Sequence, residues 1–184
     1  GAAAFNGSSN HITLGTGSNI GITGDITIQA WVNPSDYANF NGILSKTNGN
    51  QPAPYDFYLT AGSGIPNFFR GNGSGANANI SGSAAPQAGV WSHLVVTVTG
   101  NTVRHYLNGV LNGSGNLNVS GVGVNGSSNA YIGTRGDFAT RFKGSMDEVR
   151  VSNVARSADW IRTEYNNQSA PAAFYSIGVE KGGG

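Results

Sequence analysis

The segment Phe142-Lys143-Gly144-Ser145-Met146-Asp147-Glu148-Val149-Arg150-Val151-Ser152 lies near the end of the chain and guides the interpretation of the rest. It predicts an apolar strand over Gly144–Val151 that carries two adjacent carboxylates, Asp147 and Glu148. On a regular strand, successive side chains point to opposite faces. The two acids are therefore predicted to lie on opposite faces, where they cannot flank one scissile bond.

A short helix is predicted directly after this strand. Ser157 can cap its N-terminus, and Asp159 in the first turn suits the helix dipole. Ala158, Ile161 and Tyr165 recur at helical spacing and form one apolar stripe. No other stretch of the sequence gives a convincing helical pattern, so one short C-terminal helix is expected.

Period-two alternation predicts strands in most of the remaining chain. Within 26–32, the residues Ile26, Ile28, Ala30 and Val32 share one face. The strands 94–99 and 103–107 are predicted neighbours, and Asn108-Gly109 after them is a strong hairpin signal because a type I′ turn needs positive φ at both central positions. Further strands are expected at 12–14, 42–45, 55–61, 67–70, 110–111 and 130–132, with long loops at 33–41, 46–54 and 71–90.

Composition limits the class of protein. The 184 residues include 38% hydrophobic residues, enough for one sizeable core. Only 10% are charged and the net charge is +1, so no nucleic-acid partner is expected. There is no cysteine and no run near the roughly 20 apolar residues that span a bilayer, so no disulfide and no membrane insertion are expected. A single domain is predicted over 1–178, with 179–184 as a linker or tail.

These strands and the helix predict an all-β fold: a two-sheet antiparallel jelly-roll sandwich with one short C-terminal helix. The ordered segments of this pattern also resemble a known family. They are Phe5-Asn6-Gly7-Ser8 leading to Ile12, Ile26–Pro34 with Ile43–Lys46, Gly89–Leu94 with Tyr106–Gly109, and Ile132-Gly133 with Phe142–Arg150. Read together, they are similar to the bacterial laminin-G-like domains of the concanavalin A-like lectin/glucanase superfamily.

The resemblance implies a non-catalytic carbohydrate-binding module of a secreted or cell-surface, multi-domain bacterial protein, with a polysaccharide or glycan as its partner. The alternative is an adhesion or structural spacer domain that contacts cell-surface proteins. The same superfamily also implies a more remote alternative, a polysaccharide hydrolase or lyase. Retaining glycosidases need two carboxyl groups about 5–5.5 Å apart. The nine acids never show the same-face spacing that would provide this, so no catalytic residue is predicted.

A structural calcium ion is also implied by the resemblance, because relatives often hold one at the edge of the sandwich with oxygen ligands. If the first and last strands pair, Asn6 and Asp147 are the candidate ligands. The alternative is that Asn6 forms an Asx-turn and that Asp147 pairs with Arg150 or caps a loop.

Carbohydrate recognition uses aromatic faces together with planar polar groups. The run 134–141 combines both chemistries in one loop and is the preferred site. Trp31, Trp91 and Trp160 are expected to pack in the core or against the helix instead. The candidate ligand-binding residues lie in loops or on outward strand faces: Arg135, Asp137, Phe138, Arg141, Tyr37, Phe40, Tyr58, Arg70, Arg104 and Tyr106.

Overall fold

The computed structural model describes residues 1–47, 54–119, 121–124 and 127–174. Twelve strands are present in this part of the chain, together with two helices and one 3₁₀ turn. The strands are β1 Ala3–Asn6, β2 Ile12–Gly15, β3 Ile26–Pro34, β4 Asn41–Lys46, β5 Tyr55–Leu59, β6 Pro66–Gly71, β7 Asn77–Ser81, β8 Ser92–Thr99, β9 Thr102–Leu107, β10 Val110–Asn116, β11 Ala130–Ile132 and β12 Lys143–Ser152. The 3₁₀ turn is Ser18–Ile20, and the helices are α1 Ala158–Ser169 and α2 Pro171–Phe174.

The strands form two six-stranded antiparallel sheets. Sheet A has the order β1-β12-β3-β8-β9-β10, and sheet B has the order β2-β11-β4-β5-β6-β7. Strands that are distant in the chain are neighbours in both sheets, as in a jelly roll. The predicted fold class is confirmed.

The inner faces of the two sheets form the hydrophobic core. On β3, Ile26, Ile28, Ala30 and Val32 are each 0% exposed, as the alternation predicts. Sheet B contributes the alternating aromatic and aliphatic side chains of β5, in which Tyr55, Phe57 and Leu59 are fully buried. The polar residues between them point to the outer face of sheet B, which is where the candidate site lies.

Helix α1 covers part of the outer face of sheet A. Ser157 caps it, since its Oγ accepts a hydrogen bond of 3.2 Å from the Trp160 backbone N–H. Ile161 is 0% exposed and packs against Val95 and Tyr106 of the sheet. The predicted helix and its cap are confirmed, and the outer faces of the two sheets are consequently unlike each other.

The β9–β10 hairpin turns at Asn108-Gly109, with φ of 51° and 78° at the two positions. Positive φ at both central positions is the requirement that favoured an Asn-Gly turn. The predicted hairpin is confirmed. A Cβ added to Gly109 would lie 3.1 Å from the Tyr165 ring, so the turn also lies directly against α1.

Strand β12 contains a bulge that the sequence pattern did not predict. Asp147 pairs with Trp31 and Arg150 pairs with Gln29. Two residues of β12 therefore lie opposite a single residue of β3 between these pairs. Glu148 takes up the irregularity with φ of 52°. Because the bulge breaks the alternation, Glu148 reaches the same outer face as Asp147 and contacts Arg150 there. The prediction that the two acids lie on opposite faces was wrong.

Two strands lie outside the predicted set. Strand β7 lies within the predicted 71–90 loop, and its polar residues alternate with Ala78 and Ile80 at the edge of sheet B. Strand β1 is a short edge strand that pairs with β12. The predicted 46–54 loop lies mostly outside the described residues, as does the predicted boundary at 178, so the domain limits stay a prediction. Neither helix in the described part of the chain has the length and hydrophobicity that a membrane crossing requires.

Candidate ligand-binding site

The outer face of sheet B carries two rows of side chains that cross the sheet. Cross-strand pairing places Ser45 opposite both Tyr131 and Asp56. Paired residues share a face, so these side chains form a continuous row. The first row is Tyr131, Ser45, Asp56, Phe69 and Asn79, and the second is Gly42, Tyr58, Asn67 and Ser81.

The 133–142 loop folds over the β4 and β5 end of this face. Its two ends meet, because the Phe142 backbone N–H donates to the Gly133 carbonyl at 2.9 Å. Gly42 then anchors the loop by donating its N–H to the Thr140 carbonyl at 3.0 Å. A Cβ on Gly42 would lie only 2.6 Å from that carbonyl oxygen, so glycine is what lets the loop approach so closely.

Arg135 is held by two carboxylates. Its Nε and Nη2 donate to Asp137 Oδ1 and Oδ2 at 3.0 and 2.7 Å, a bidentate pair. Burial opposes ionisation of Asp137, but the hydrogen bonds from Arg135 and from the Ala139 N–H, together with the charge of Arg135, outweigh it, and the pKa of Asp137 is lowered. The hydrogen bond between Arg135 and Asp137 also raises the pKa of Arg135. The pair is therefore charged, oriented and partly exposed at the surface of the face.

Asp56 lies beneath this pair and is 0% exposed. Its Oδ2 is 3.9 Å from Arg135 Nη1, and neither carboxylate oxygen accepts a hydrogen bond from the described residues. Burial raises the pKa of Asp56 to about 7, against the lowering effects of Arg135 and the adjacent Ser45 hydroxyl, neither of which reaches good hydrogen-bond geometry. Asp56 therefore attracts the Arg135 guanidinium from the buried side of the face without forming a hydrogen bond to it.

Unpartnered buried polar atoms are concentrated on this face and its loop. Such atoms normally find partners, so a cluster of them needs an explanation. Six of the nine identified among the described residues are here: Ser45 Oγ, both Asp56 oxygens, Asn67 Oδ1, Thr140 Oγ1 and Arg141 Nη1. The face is therefore polar beneath its surface and has unused hydrogen-bonding capacity.

Aromatic rings lie close to the charged pair. Phe138 is 38% exposed and lies edge-on to Tyr131, with ring centroids 5.4 Å apart. The Arg141 guanidinium lies 5.0 Å from the Phe138 ring centroid. In the second row, Tyr58 contacts Phe40 edge-on at 5.8 Å and lies close enough to Arg135 to feel its charge. Two pairs of rings therefore lie near the Arg135–Asp137 pair.

Phe138 has φ of 59°, which is unusual for a bulky residue. Its N–H donates to the Arg135 carbonyl at 2.9 Å, so a tight turn holds this conformation. Strained residues of this kind cluster at active sites and ligand-binding sites. The strain keeps an aromatic ring exposed beside the charged pair.

Six of the predicted ligand-binding residues are brought together here: Arg135, Asp137, Phe138, Arg141, Tyr58 and Phe40. Sequence reasoning missed Asp56, Ser45, Asn67 and Tyr131. Alternation within 55–61 could have placed Asp56 and Tyr58 on one outer face. Nothing in the local pattern indicates that the distant 133–142 loop buries Asp56.

The other four predicted residues lie elsewhere. Arg70 is 2% exposed and donates to the Gly24 and Pro54 carbonyls, so its guanidinium is used within the fold. The Tyr37 hydroxyl donates to the Pro86 carbonyl. Arg104 and Tyr106 lie on the outer face of sheet A, where Tyr106 is covered by α1. These four lie outside the site, because Arg70 is buried, the Tyr37 hydroxyl is used within the fold, and Arg104 and Tyr106 lie on the opposite sheet.

The predicted calcium ligands Asn6 and Asp147 do not meet. Asn6 pairs with Lys143, four residues before Asp147, which separates them by about 13 Å along the ladder. Asn6 Oδ1 instead accepts hydrogen bonds from the Ser8, Ser9 and Asn10 N–H groups, as in the Asx-turn alternative. Asp147 Oδ1 accepts from the Glu148 N–H. No cluster of three or more potential metal ligands occurs among the described residues, and calcium binding itself stays a prediction.

The tryptophans and histidines are placed largely as expected. Trp31 stacks on Tyr165 of α1, and Trp160 is part of α1 itself. Trp91 is 39% exposed, so the expectation that it is packed was wrong. His93 and His105 are buried, and desolvation lowers the pKa of each to about 4. Both are neutral packing residues at ordinary pH.

Two six-stranded sheets in jelly-roll order, with a polar and aromatic outer face, define a lectin-like β-sandwich. A laminin-G family model, described as Concanavalin A-like lectin/glucanases superfamily, matches residues 6–162. The chain belongs to this family. No curated protein matches its sequence.

Solved structures with the same fold include two that were determined with sugars. The CBM40 domain of the Ruminococcus gnavus IT-sialidase, bound to alpha2,3 sialyllactose, has a TM-score of 0.73 at 16% identity, covering 89% of this chain and 96% of that one. Domain 4 of AbnA, a GH43 extracellular arabinanase from Geobacillus stearothermophilus in complex with arabinotriose, has a TM-score of 0.66 at 22% identity, covering 88% and 74%. A heptameric SAP-like pentraxin from Limulus polyphemus has a TM-score of 0.65 at 19% identity, covering 88% and 80%. At these identities the likeness establishes the fold.

Proposed function

We propose that this chain is a non-catalytic carbohydrate-binding module whose ligand lies on the outer face of sheet B. The observation that carries the proposal is the bidentate Arg135–Asp137 pair held beside the strained, exposed Phe138. A sugar presents hydroxyl groups that both donate and accept hydrogen bonds, and it also has an apolar face of C–H groups. A guanidinium, a carboxylate and aromatic rings in one place match these features.

The residues have separate roles in this proposal. Arg135 donates to ring or hydroxyl oxygens, and Asp137 accepts from hydroxyl groups. Phe138 stacks on the apolar sugar face, and Tyr58 and Phe40 provide a further aromatic surface nearby. Asp56 is a positioning residue, because it is buried under Arg135 and acts on the ligand through that guanidinium.

A binding role fits this geometry better than glycoside hydrolysis. Asp56 has a pKa near that of a useful general acid, but its side chain is fully buried. Asp137 is committed to the bidentate pair with Arg135. That pair keeps Asp137 ionised, so it can accept from a sugar hydroxyl but has no proton to give to a leaving group, and the buried Asp56 cannot reach a glycosidic bond.

The setting of the module is also part of the proposal. We place it in a secreted or cell-surface bacterial protein with further domains, and its partner is a polysaccharide or glycan. Two neighbours support this by their names alone: one is a domain of an extracellular arabinanase, and the other is a module of a sialidase.

The test is a glycan array with the purified chain, followed by affinity measurements on the strongest glycan. Arg135→Gln and Phe138→Asn are each expected to weaken binding at least tenfold, which corresponds to about 1.4 kcal/mol. Asparagine tolerates positive φ, so Phe138→Asn removes the ring while keeping the turn. Arg104→Gln is the matched control, since Arg104 is exposed on the opposite sheet.

The proposal would be overturned if the protein bound no glycan on a broad array. It would also be overturned if Arg135→Gln and Phe138→Asn both bound the glycan as tightly as wild type. Melting curves of each variant separate loss of the site from loss of the fold. Capture of a specific protein partner without competition by any sugar would favour the adhesion alternative instead.

A further inference from the structure

A cavity lies on the other side of the molecule from the outer face of sheet B, between the outer face of sheet A and the C-terminal end of α1. Its volume is about 800 Å³, within the usual range for small-molecule sites. Three aromatic residues and three charged residues contribute to its lining: Trp31, Trp91, Tyr165, Asp147, Glu148 and Arg150. The cavity shares no residue with the face of sheet B described above.

Contacts between β3 and α1 hold part of the aromatic wall in place. The Trp31 and Tyr165 rings are stacked with centroids 5.8 Å apart, and Trp31 Nε1 donates to Gln168 Oε1. His93 lies against the same two rings from within the sheet. Trp91 differs, because it is 39% exposed and has a free ring surface. The cavity therefore combines a rigid aromatic side with an accessible indole.

The β12 bulge supplies the charge. It turns Glu148 to the same face as Asp147, so both carboxylates line the cavity. Arg150 forms ion pairs with Glu148 and with Glu164 of α1, so its positive charge is already compensated by these two carboxylates. The carboxylates of Asp147, Glu148 and Glu164 carry three negative charges and the Arg150 guanidinium carries one positive charge. These four groups therefore have a net charge of −2. Among the described residues, Asp147 forms no ion pair.

We propose that this cavity binds an organic ammonium ion, with the cation between the Trp91 ring and the Asp147 carboxylate. Indole is the best aromatic partner for a cation, and the attraction grows when the cation is partly desolvated. A carboxylate without a cationic partner adds direct Coulomb attraction. The site prefers a cation to a neutral sugar because its aromatic surface lies beside uncompensated negative charge.

The ammonium group could belong to an amino sugar or to a non-sugar amine, and the experiment distinguishes them. The purified chain is titrated calorimetrically with glucosamine, choline and glucose at constant ionic strength. We expect glucosamine, choline or both to bind at least tenfold more tightly than glucose. Binding of glucosamine alone identifies a sugar amine as the source, and binding of choline identifies a non-sugar amine.

Asp147→Asn tests the role of the charge. The asparagine Oδ1 can still accept the Glu148 N–H, so the bulge is expected to survive while affinity for the cation falls at least tenfold. Asp25→Asn is the matched control, because Asp25 also accepts one backbone N–H, from Gly100, and forms no ion pair among the described residues. Trp91→Ala should weaken binding as well, and tryptophan fluorescence gives a second readout.

Three results would overturn the proposal: no binding of either cation, glucose binding as tightly as glucosamine, or unchanged affinity in Asp147→Asn. This site does not depend on the proposed glycan face. Failure of Arg135→Gln to affect glycan binding would leave the ammonium site standing, and the reverse also holds.

Discussion

Asp56 keeps its carboxyl buried beneath Arg135, and this should make the stability of the protein depend on pH. Its pKa is about 7 in the fold, compared with about 3.9 in an unfolded chain. Folding therefore takes up a proton between these values. The stabilisation from Asp56 is fully present below about pH 4 and is lost as the pH rises through about 7.

The test compares wild type with Asp56→Asn by urea unfolding at several pH values. The free energy of unfolding contributed by Asp56 should fall by up to about 4 kcal/mol between pH 4 and 7. This dependence should be missing from the variant. His93 and His105, with lowered pKa values, act in the opposite direction, so only the difference between the two proteins isolates Asp56. Parallel pH profiles would contradict the role assigned to Asp56.

Single residues were the hardest features to predict from the sequence. The 134–141 run contains its aromatic ring and its ionic pair within a few positions, so the loop could be recognised. The expectation that Arg70 faces outward was wrong, because its guanidinium is buried against the carbonyls of Gly24 and Pro54, which are far from it in the chain. Local patterns show which side chains are available but not which distant groups satisfy them.

Among the secondary-structure elements, α1 attaches to sheet A partly through one fully buried side chain, Ile161. Ile161→Ala should lower the free energy of unfolding by about 2–4 kcal/mol, because Ile161 is fully buried against Val95 and Tyr106. Arg162→Ala is the control on the same helix. Its side chain is 66% exposed, and the change should be near zero. Equal effects of the two substitutions, measured by chemical denaturation, would contradict this attachment.

The β9–β10 hairpin offers a test of its contact with α1. Gly109→Ala should destabilise the protein through its positive φ and through the 3.1 Å approach to Tyr165. Gly100→Ala has the same kind of backbone cost, since φ is 55°, but nothing lies within 4 Å of its added Cβ. We expect Gly109→Ala to cost roughly 1 kcal/mol more than Gly100→Ala. Equal melting temperatures for the two variants would contradict the contact.

Prediction succeeded for elements whose local signals agree with their tertiary setting. Helix α1 has a cap and an apolar stripe, and the Asn108-Gly109 hairpin has the residues that its turn requires. Strand β7 was missed because its polar residues favour a loop, and pairing with β6 at the sheet edge overrides that preference. The β12 bulge was missed because a period-two pattern cannot reveal an inserted residue.

For the molecule as a whole, β1 packs against the residues just before β12 and closes one edge of the sandwich. Phe5 of β1 is 5% exposed and contacts Phe142 edge-on at 5.9 Å, and a Cβ on Gly133 would lie 2.3 Å from the Phe5 ring. Phe5→Ala should therefore lower the free energy of unfolding by about 3–5 kcal/mol. Phe40→Ala is the matched control because Phe40 is 43% exposed, and it should cost far less. A small effect of Phe5→Ala in urea unfolding would mean that β1 contributes little to closure.

The whole fold was accessible to prediction because many weak signals agreed: alternation, turns, one helix and the order of the motif segments. The candidate site was only partly accessible. Its loop was identified, but the sheet face beneath it depends on the pairing of β11, β4 and β5, which are separated in sequence. Which predicted side chains share a face follows from that pairing, and no local pattern encodes it.

The bulge in β12 also has a consequence for how the length of this chain can vary. Asp147 and Arg150 both face outward on either side of it, and Val149 packs against the core. Removing Glu148 alone would leave Asp147, Val149 and Arg150 in regular alternation, with every core residue still facing inward. A single-residue deletion here should thus be tolerated. Elsewhere in a strand, such a deletion would move the core side chains to the solvent face and the solvent side chains to the core. Strand β12 can gain or lose one carboxylate on its outer face without disturbing the core behind it.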